Sequence, residues 1–313
     1  GGVSGVVPSR PEPVAFGTPA YELNYQALHK PISFVCQAQV PPELPEPNPG
    51  GGGPVELGVA TWNLFWSTVF DQGRPGELHS YQATQGNAAT ERLARLGQRL
   101  PPASAQIDLM AFQECMDIGW LFDKAGLASD FHFFQGSEEL CIAVRKEGWS
   151  VLDRGQSSVA EDRPSLYWRK RDVQWLRLRH QATGAAVLFL NHHGPLPIDS
   201  GGVCGGPATA FNLLSLAAEQ AFAGDVVVLV GDFNARVGSA TIGQLRQRLR
   251  LVASGTKQGG IDNVFTNLGA SSVSSAATLG GAGSDHDALG AVLLLGRTGQ
   301  AAPGAGSGAA WPR

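Results

Sequence analysis

Short runs of apolar residues recur through the middle of the chain, and each run is bounded by glycine, proline or polar residues. Their length and their content of valine, leucine and isoleucine are typical of buried strands. The predicted strands are Leu57–Asn63, Leu109–Glu114, Leu140–Arg145, Ser165–Arg169, Val173–Arg179, Val187–Asn191, Val226–Gly231 and Ala288–Leu295. The pattern therefore predicts a sheet-rich domain.

Between some of these runs, apolar residues recur with the period of a helix. The predicted helices are Thr90–Leu100, Ala208–Phe222 and Ile242–Leu249. Most neighbouring strands are separated by turns and not by helices, which argues against a doubly wound parallel sheet. The pattern favours an α+β fold in which two sheets pack together and the helices lie outside.

The two ends of the chain differ in composition from the middle. Residues 1–54 are rich in proline, and the proline-rich run at 41–49 followed by glycines at 50–53 excludes helix and central strand. We predict that this region is an N-terminal extension or linker, with a candidate edge strand at 32–36. Residues 297–313 are mostly Gly, Ala and Pro and are predicted to be a disordered tail. The predicted folded body is residues 55–296.

Composition narrows the classes of partner. The formal net charge is −4, so no overall positive field draws the molecule onto a polyanion, and any recognition of phosphate must be local. No apolar stretch approaches the roughly 18 residues of a membrane span. The four cysteines form no C-x-x-C pair, which argues against a zinc site or a redox dithiol. Of these, Cys115 and Cys141 lie in apolar runs and are predicted to be buried free thiols.

Several predicted strands end in a polar residue. Asn63 and Glu114 close two of the runs, and Asp232 and Asn234 follow a third. Each residue alone is better explained as a turn former, because Asn and Asp side chains bond to the backbone of turns. Taken together, polar side chains at the mouths of buried strands are well placed to project into a cleft from a rigid base.

Two further polar groups extend this set, namely Asp262 and the pair Asp285-His286. Hydrolysis of a phosphate ester needs carboxylate and amide oxygens for a hard cation, a base for the attacking water, and donors for the charge that develops on the phosphoryl oxygens. A histidine held by a carboxylate supplies a fixed donor. The combination predicts metal-assisted phosphoester hydrolysis.

Six short blocks carry a resemblance to a known family. They are Thr61-Trp62-Asn63-Leu64, Phe112-Gln113-Glu114, Asn191-His192-His193, Gly231-Asp232-Phe233-Asn234, Ile261-Asp262-Asn263-Val264 and Ser284-Asp285-His286. Each block is weak alone, but their order and spacing resemble those of the endonuclease/exonuclease/phosphatase superfamily. The resemblance implies a four-layer α/β/β/α sandwich of two mixed β-sheets flanked by helices. It also implies a deoxyribonuclease-like, metal-dependent hydrolase with residues 55–296 as its catalytic domain.

The resemblance implies a metal site made of oxygen ligands. Glu114 would be the principal ligand, and Asn63 and Asp285 would lie beside it. Carboxylate and amide oxygens are the ligands that hard divalent cations prefer, and such sites leave positions for water and for a substrate oxygen. The implied cofactor is Mg²⁺ or Mn²⁺.

The same resemblance implies catalytic roles at the other blocks. Asp232 would orient or deprotonate the attacking water, and Asn234 would hold a phosphoryl oxygen. His286 would pair with Asp262 and would donate a hydrogen bond to the phosphate. These four residues would thus act on the water and on the phosphoryl group.

Three further residues are assigned with alternatives. The family's Asn-x-His spacing selects His193 as a catalytic, phosphate-binding histidine, and His192 is the alternative. Only one of the two can face the cleft, because adjacent residues of a strand face opposite ways. Glu138 resembles the partner of that histidine in pancreatic-type deoxyribonucleases, although an acidic surface turn fits equally well. Arg163 resembles a residue that contacts substrate phosphate in the family. The alternative is that it is an ordinary surface arginine.

The substrate stays open at the level of sequence. The leading interpretation is a nucleic-acid phosphodiester, with DNA or RNA as partner, and Glu138 and Arg163 favour it. A phospholipid or inositol phosphate is the alternative within the same superfamily, and a non-catalytic binding module is the second alternative. No protein partner can be inferred.

Overall fold

The computed structural model of the protein describes residues 35–36, 40–48, 54–65, 69, 83–96, 105–137, 139–163 and 169–296. Glu138, the predicted tail at 297–313, most of the predicted extension at 1–54 and most of the predicted strand Ser165–Arg169 lie outside these residues. Within the described ranges, no helix combines the length and the apolar character that crossing a membrane requires.

The described elements alternate strands with a few helices. The strands are β1 (Val55–Asn63), β2 (Leu109–Gln113), β3 (Phe131–Gln135), β4 (Cys141–Arg145), β5 (Trp149–Glu161), β6 (Lys170–His180), β7 (Ala186–His193), β8 (Val226–Asp232), β9 (Arg250–Ser254), β10 (Asp262–Thr266), β11 (Val273–Gly280) and β12 (Ala288–Leu295). The helices are α1 (Ala83–Leu96), α2 (Ile118–Lys124), α3 (Gly206–Gln220) and α4 (Ala240–Leu245), with short 3-10 turns at Lys257–Gly259 and Ala270–Ser272.

The strands form two six-stranded sheets. The first has the order β11-β12-β1-β2-β4-β3, and the second has the order β5-β6-β7-β8-β10-β9. Each sheet holds one parallel pair, β1 with β2 in the first and β7 with β8 in the second, and its other pairs are antiparallel. Both sheets are therefore mixed, as predicted.

Alternation along the strands sorts their side chains into separate layers. On β1, Leu57 and Val59 face the core between the sheets, whereas Trp62 packs with the core that α1 and α2 cover. On β8, Val228 faces the core between the sheets, whereas Leu229 packs under α3 and α4. The four-layer α/β/β/α sandwich predicted from the sequence is confirmed.

The described part of the N-terminal region packs on the second sheet and its helices. The Val35 backbone exchanges two hydrogen bonds with the Asn212 side chain on α3, at 3.3 and 3.2 Å. Cys36 next to it forms a disulfide with Cys204, in the loop between β7 and α3. The other two cysteines are free and buried, which confirms that prediction.

Residues 40–48, which we predicted as part of an extension or linker, also contact the body. Arg248 donates to the carbonyl oxygens of Pro41 and Pro42 at 3.0 and 3.1 Å. Farther along, the Asn48 amide donates to the Gly224 carbonyl at 2.9 Å. Hydrogen bonds at both ends therefore hold this segment against the sandwich.

Breaking the Cys36–Cys204 disulfide should lower stability. The bond closes a long loop, with a sequence separation of 168 residues, and thereby restricts the unfolded chain. The double variant Cys36→Ser/Cys204→Ser should lose about 2–4 kcal/mol of unfolding free energy, the usual range for a native disulfide. Urea denaturation of the wild type, with and without reductant, gives the comparison. The double variant should not respond to reductant, and equal midpoints for all samples would contradict the prediction.

Asp108 should make stability depend on pH. It precedes β2, and its carboxylate accepts a hydrogen bond from the Gly58 amide at 2.9 Å. Burial raises the pKa of this carboxyl from about 3.8 to about 6, against opposing effects of the bonds to Gly58 and Trp149 and of the charge of Arg145. The folded state then holds the proton more tightly than the unfolded state. The contribution of this carboxyl to the free energy of unfolding is therefore fully present below about pH 4 and is lost as pH rises through about 6.

Replacing Asp108 by Asn should remove this dependence. Asn keeps the acceptor for Gly58 but does not titrate. The unfolding free energy of the wild type minus that of Asp108→Asn should fall by roughly 3 kcal/mol between pH 4 and 7, at about 1.36 kcal/mol for each pH unit that separates the two pKa values. Urea titrations at a series of pH values measure this difference. A difference that does not change with pH would refute it.

Candidate functional site

In the first sheet, the predicted site residues lie at one edge. Asn63 is the last residue of β1, and Glu114 follows the last residue of β2, which runs parallel to β1. Asp285 and His286 precede β12, which runs antiparallel to β1. The carboxyl ends of β1 and β2 therefore share an edge with the start of β12, and this brings three sequence-distant blocks together.

The second sheet presents a matching edge. His193 ends β7 and Asp232 ends the parallel strand β8, where the two residues are register partners. Asp262 begins β10 and is the register partner of Asp232 on its other side. At Gly231, which has a φ of 143°, an added Cβ would collide with the carbonyl oxygen of His192. Glycine therefore lets β8 run close to β7 just before Asp232.

Asn63 joins the two edges. Its amide nitrogen donates to Glu114 Oε1 in the first sheet and to Asp232 Oδ2 in the second, both at 3.0 Å. Its Oδ1 accepts from the Phe65 amide at 2.9 Å, which fixes the orientation of the side chain. Glu114 has a left-handed backbone, with a φ of 55°. Strained residues of this kind cluster at active sites.

His286 lies between two carboxylates. Its Nδ1 contacts Asp262 Oδ2 at 2.9 Å and Oδ1 at 3.1 Å, and its Nε2 lies 3.7 Å from Asp232 Oδ2. His193 Nε2 also lies 3.7 Å from the same oxygen. We call Asn63, Glu114, His193, Asp232, Asp262 and His286 the site cluster.

The surroundings of the cluster set different charges on its histidines. Burial by itself lowers the pKa of His286, but the hydrogen bond to Asp262 and the charge of Asp232 outweigh it and raise the pKa to about 9. Burial and the positive charge of Arg171 instead hold the pKa of His193 well below its usual range. At neutral pH, His286 therefore carries a proton on both nitrogens, and His193 is neutral.

Asp232 is a buried carboxylate with a raised pKa. Burial, followed by the charge of Asp262, raises the pKa of Asp232 to about 6, while the charge of His286 and hydrogen bonds from its neighbours oppose the shift. One of these bonds comes from the backbone N–H of Asn234, which donates to Asp232 Oδ1 at 2.8 Å. A carboxylate with a pKa near neutral pH is suited to accepting a proton from water.

The structure separates the two adjacent histidines. His192 points away from the cluster, since its Nδ1 lies 3.0 Å from the Asp172 carbonyl oxygen and its ring packs edge-on against Phe233. Burial lowers the pKa of His192 to about 4. Of the two, only His193 faces Asp232.

The other predicted site residues are less closely joined to the cluster. The Asn234 side chain donates to the Gly194 carbonyl at 3.0 Å. The backbone of Asn234 is left-handed, with a φ of 46°. Asp285 is half exposed, and its Oδ1 lies 3.8 Å from His286 Nε2. The described side-chain contact of Arg163 is with the Gly202 carbonyl, at 3.4 Å, in the loop after β7.

Hydrogen bonds beneath the cluster involve motif residues to which we assigned no role from the sequence. Gln113 donates to Asn191 Oδ1 at 2.6 Å, and this bond connects β2 in one sheet with β7 in the other. Ser284 Oγ donates to the Asn63 carbonyl at 2.7 Å and accepts from the His286 amide at 3.0 Å. Their membership of the six blocks is the signal that could have identified them as supports.

Two groups of side chains could hold a cation. Asp232, Asp262 and His286 each offer an atom within 4.8 Å of the others, but hydrogen bonds inside the cluster already use these atoms. Asn63, Glu114 and Asp285 supply oxygen atoms, the donor type that Mg²⁺ prefers. Hydrogen bonds also use oxygens of the second set, since Asn63 Oδ1 accepts from Phe65, Glu114 Oε1 from Asn63 and Asp285 Oδ2 from Gln258.

Comparisons with known proteins relate the chain to one protein family. The profile of the Endonuclease/Exonuclease/phosphatase family matches residues 60–286, which span all of the cluster. No protein of curated function matches the sequence.

Several solved structures share the fold at low sequence identity. An endonuclease/exonuclease/phosphatase family protein from Bacteroides thetaiotaomicron is 15% identical with a TM-score of 0.59, over 78% of this chain and 99% of that one. A mannosyl-6-phosphatase from B. thetaiotaomicron VPI-5482 is 18% identical with a TM-score of 0.56, over 76% and 99%. D. rerio TDP2 complexed with a single-strand DNA product is 14% identical with a TM-score of 0.55, over 76% and 98%.

The profile match covers most of the chain, and the fold and the order of the blocks agree with it. The resemblance inferred from the six blocks is thereby confirmed. The chain belongs to the endonuclease/exonuclease/phosphatase family, whose members are hydrolases acting on phosphate esters.

Proposed function

We propose that this protein is a Mg²⁺- or Mn²⁺-dependent nuclease that hydrolyses a phosphodiester bond of DNA or RNA. The observation that carries the proposal is the position of Asp232, whose Oδ2 accepts from Asn63 and lies 3.7 Å from the Nε2 atoms of His193 and His286. A carboxylate oxygen close to two imidazoles, at the ends of strands from both sheets, is suited to taking a proton from a water.

Each residue of the cluster has a distinct task in this reaction. Asp232 takes a proton from the attacking water as the water oxygen bonds to phosphorus. The bond from phosphorus to the leaving oxygen breaks, and that oxygen takes a proton from solvent. His286, fixed by Asp262 and charged at neutral pH, donates to a phosphoryl oxygen as negative charge develops there. His193 and Asn234 contact the phosphoryl group from the side of the second sheet.

Glu114, Asn63 and Asp285 would hold the cation. The bond between the Asn63 amide and Glu114 Oε1 places two of these residues together. When bound, a divalent cation polarises a phosphoryl oxygen and neutralises part of its charge. The protein's own contribution is to fix these oxygens at the ends of β1 and β2 and just before β12.

Basic side chains lie near the cluster although the net charge is −4. Arg169, Lys257 and Arg236 each form a salt bridge, with Glu139, Asp287 and Asp199 respectively, so a polyanionic substrate would bind them in exchange for these pairs. The charge of Arg169 acts on His193, and Lys257 donates to the Ser284 carbonyl at 2.9 Å, beside His286. Arg236 lies two residues after Asn234. The similar fold of D. rerio TDP2, solved with single-strand DNA product, is consistent with a nucleic-acid substrate.

The proposal predicts metal-dependent cleavage of nucleic acid. Purified protein should nick supercoiled plasmid or cut single-stranded DNA or RNA in Mg²⁺ or Mn²⁺, and EDTA should abolish cleavage, because the oxygen ligands hold the ion that neutralises the phosphate. Sphingomyelin and phosphoinositides assayed in parallel test the alternative substrate class. Turnover of these lipids without nuclease activity would overturn the nucleic-acid assignment, and turnover of none of the substrates would favour a binding module.

Variants of the cluster should lose turnover and keep the fold. Asp232→Ala or His286→Ala should lower kcat by about 10³-fold or more, because each removes the water's proton acceptor or a donor to the phosphoryl group. Circular dichroism and the unfolding midpoint monitor the fold. The matched control is Asp153→Asn, which changes an exposed aspartate on β5 and should leave kcat unchanged. Retention of more than a tenth of the wild-type kcat in Asp232→Ala would exclude its role as the base.

A further inference from the structure

Residues 194–196, which we call the β7 exit segment, directly follow His193 and are bonded to the site cluster. Gly194 donates its backbone N–H to the Asp232 carbonyl at 2.7 Å and accepts from Asn234 Nδ2 at 3.0 Å. A Cβ at residue 194 would collide with the Phe233 carbonyl oxygen, so glycine lets the two backbones approach this closely. The direction of the Asn234 side chain, which the proposed reaction uses, is therefore set by the backbone just after His193.

The last residue of the β7 exit segment is held by residues that follow an edge strand of the second sheet. Leu196 donates its backbone N–H to Asp162 Oδ1 at 2.7 Å, and its carbonyl accepts from the backbone N–H of Arg163 at 3.2 Å. Asp162 and Arg163 directly follow β5. The β7 exit segment is therefore bonded both to the end of β8, through Gly194, and to the end of β5, through Leu196.

A buried ion pair fixes the carboxylate of Asp162. Arg171 on β6 donates to both of its oxygens, from Nε to Oδ1 at 2.8 Å and from Nη2 to Oδ2 at 3.0 Å. The side chain of Asp162 is inaccessible to solvent, and that of Arg171 is 7% exposed. Because a bidentate pair defines the orientation of the carboxylate, Oδ1 has one set position, from which it accepts hydrogen bonds from both Arg171 and Leu196.

Stability alone does not account for a buried pair at this place. The cost of taking two charges out of water can exceed the attraction between them, and apolar residues of similar volume often replace such a pair without loss of stability. What the pair of Asp162 and Arg171 supplies is a hydrogen-bond acceptor at a fixed point. That acceptor binds the backbone three residues after His193.

We propose that Asp162 is a positioning residue for phosphoester hydrolysis, which holds the Leu196 N–H and thereby keeps His193 and the Asn234 side chain in place against the phosphoryl group. The inference rests on the function proposed above. Asp162 itself contacts no reacting atom and transfers no proton in this role. Because a misplacement of about 1 Å can cost roughly 100-fold in rate, the loss of one hydrogen bond beside the site is enough to lower turnover.

Two double variants remove the ion pair and differ in the acceptor. The polar variant, Asp162→Asn/Arg171→Gln, keeps an oxygen for the Leu196 N–H, and glutamine carries its amide nitrogen at the same place along the side chain as arginine carries Nε. The apolar variant, Asp162→Leu/Arg171→Met, has a similar shape and no acceptor. Both remove the charge of Arg171, which acts on His193, so a difference between them reports the hydrogen bond and not the charge.

A second ion pair on β6 provides a matched control. Arg177 donates to both oxygens of Asp225 at 2.7 and 3.0 Å, and Asp225 Oδ2 also accepts from the backbone N–H of Phe222 at 2.9 Å. Asp225 directly precedes β8, at the opposite end of that strand from Asp232. The control variant, Asp225→Leu/Arg177→Met, therefore makes the same chemical change away from the cluster.

Kinetics in Mg²⁺ with bis(p-nitrophenyl) phosphate and with single-stranded DNA should separate these variants. We expect the apolar variant to lower kcat by about 10- to 100-fold with little change in KM, and the polar and control variants to stay within about threefold of the wild type. Each variant is assayed below its own thermal unfolding midpoint. If the apolar variant does not fold, Asp162→Ala/Arg171→Gln removes the acceptor in its place. Equal kcat values with and without the acceptor would overturn the proposal, as would a similar loss in the control variant.

Coupling to the site is a readout that a purely structural role would not change. In a His193→Ala or an Asn234→Ala background, one of the side chains that Asp162 positions is already absent. The apolar variant should therefore lower kcat by a smaller factor in these backgrounds than in the wild type. The same factor in both backgrounds and in the wild type would show that Asp162 acts on neither side chain.

A measurement without turnover distinguishes failure of this proposal from failure of the proposed function. In ¹H–¹⁵N spectra of the imidazole rings, the signal of His193 is assigned by its absence in His193→Ala. This signal should differ between the apolar and the polar variant and should match the wild type in the control variant. If the wild type hydrolyses no phosphate ester while the signal behaves in this way, the proposed function fails and the placement of His193 by Asp162 is supported. An identical His193 signal in the apolar and polar variants contradicts that placement, whether or not the wild type is active.

Discussion

The hydrogen bonds of the Asn63 amide are the interaction on which the rest of the site depends. One side chain at the end of β1 donates to Glu114 in its own sheet and to Asp232 in the other. Both bonds require the strand ends of the two sheets to lie at the same height and a few ångströms apart. The core between the sheets sets that separation, and the Gln113–Asn191 bond fixes the alignment just beneath. Packing and catalytic geometry are thus one constraint, because neither sheet can shift without breaking these bonds.

Burial gives this arrangement its electrostatic character. Asp232, Asp262 and His286 are almost fully inaccessible to solvent, so their charges interact in a medium of low polarity. Asp262 and His286 form a charge-assisted pair, and Asp232 is left with the higher proton affinity that burial imposes. The neighbouring His193 stays neutral because burial disfavours its charged form and the positive charges of Arg171 and His286 add to that effect. Residues of the same type therefore carry different charges within a few ångströms of each other. In the proposed reaction this lets Asp232 act as the base while His286 acts as a donor.

The sequence predicted those parts of the fold that a local pattern determines. Buried central strands such as β1 and β8 appear as continuous apolar runs, and the polar residues that end them mark the site. Edge strands were missed, because β5 is largely polar and β11 alternates small residues with only a half-buried face. The short helix α2 was also missed, since it is held by the Asp117 cap and by packing. The Cys36–Cys204 pair depends on how the chain folds back, which spacing alone does not reveal.

The same division applies to the site. Residues at the ends of central strands were predictable because β-sheet geometry places them and the family's blocks mark them. The contact of Gln258 Nε2 with His286 Nε2, at 3.1 Å, was not, because it depends on a left-handed backbone at Gln258 and on bonds of Lys257 and Gly260 that no periodic pattern encodes. Rigid strands thus hold the groups that phosphoester hydrolysis needs. The loop between β9 and β10 instead takes its conformation from contacts with Ser284 and Asp287, which are distant in sequence, so its position beside the cluster follows only from the folded chain.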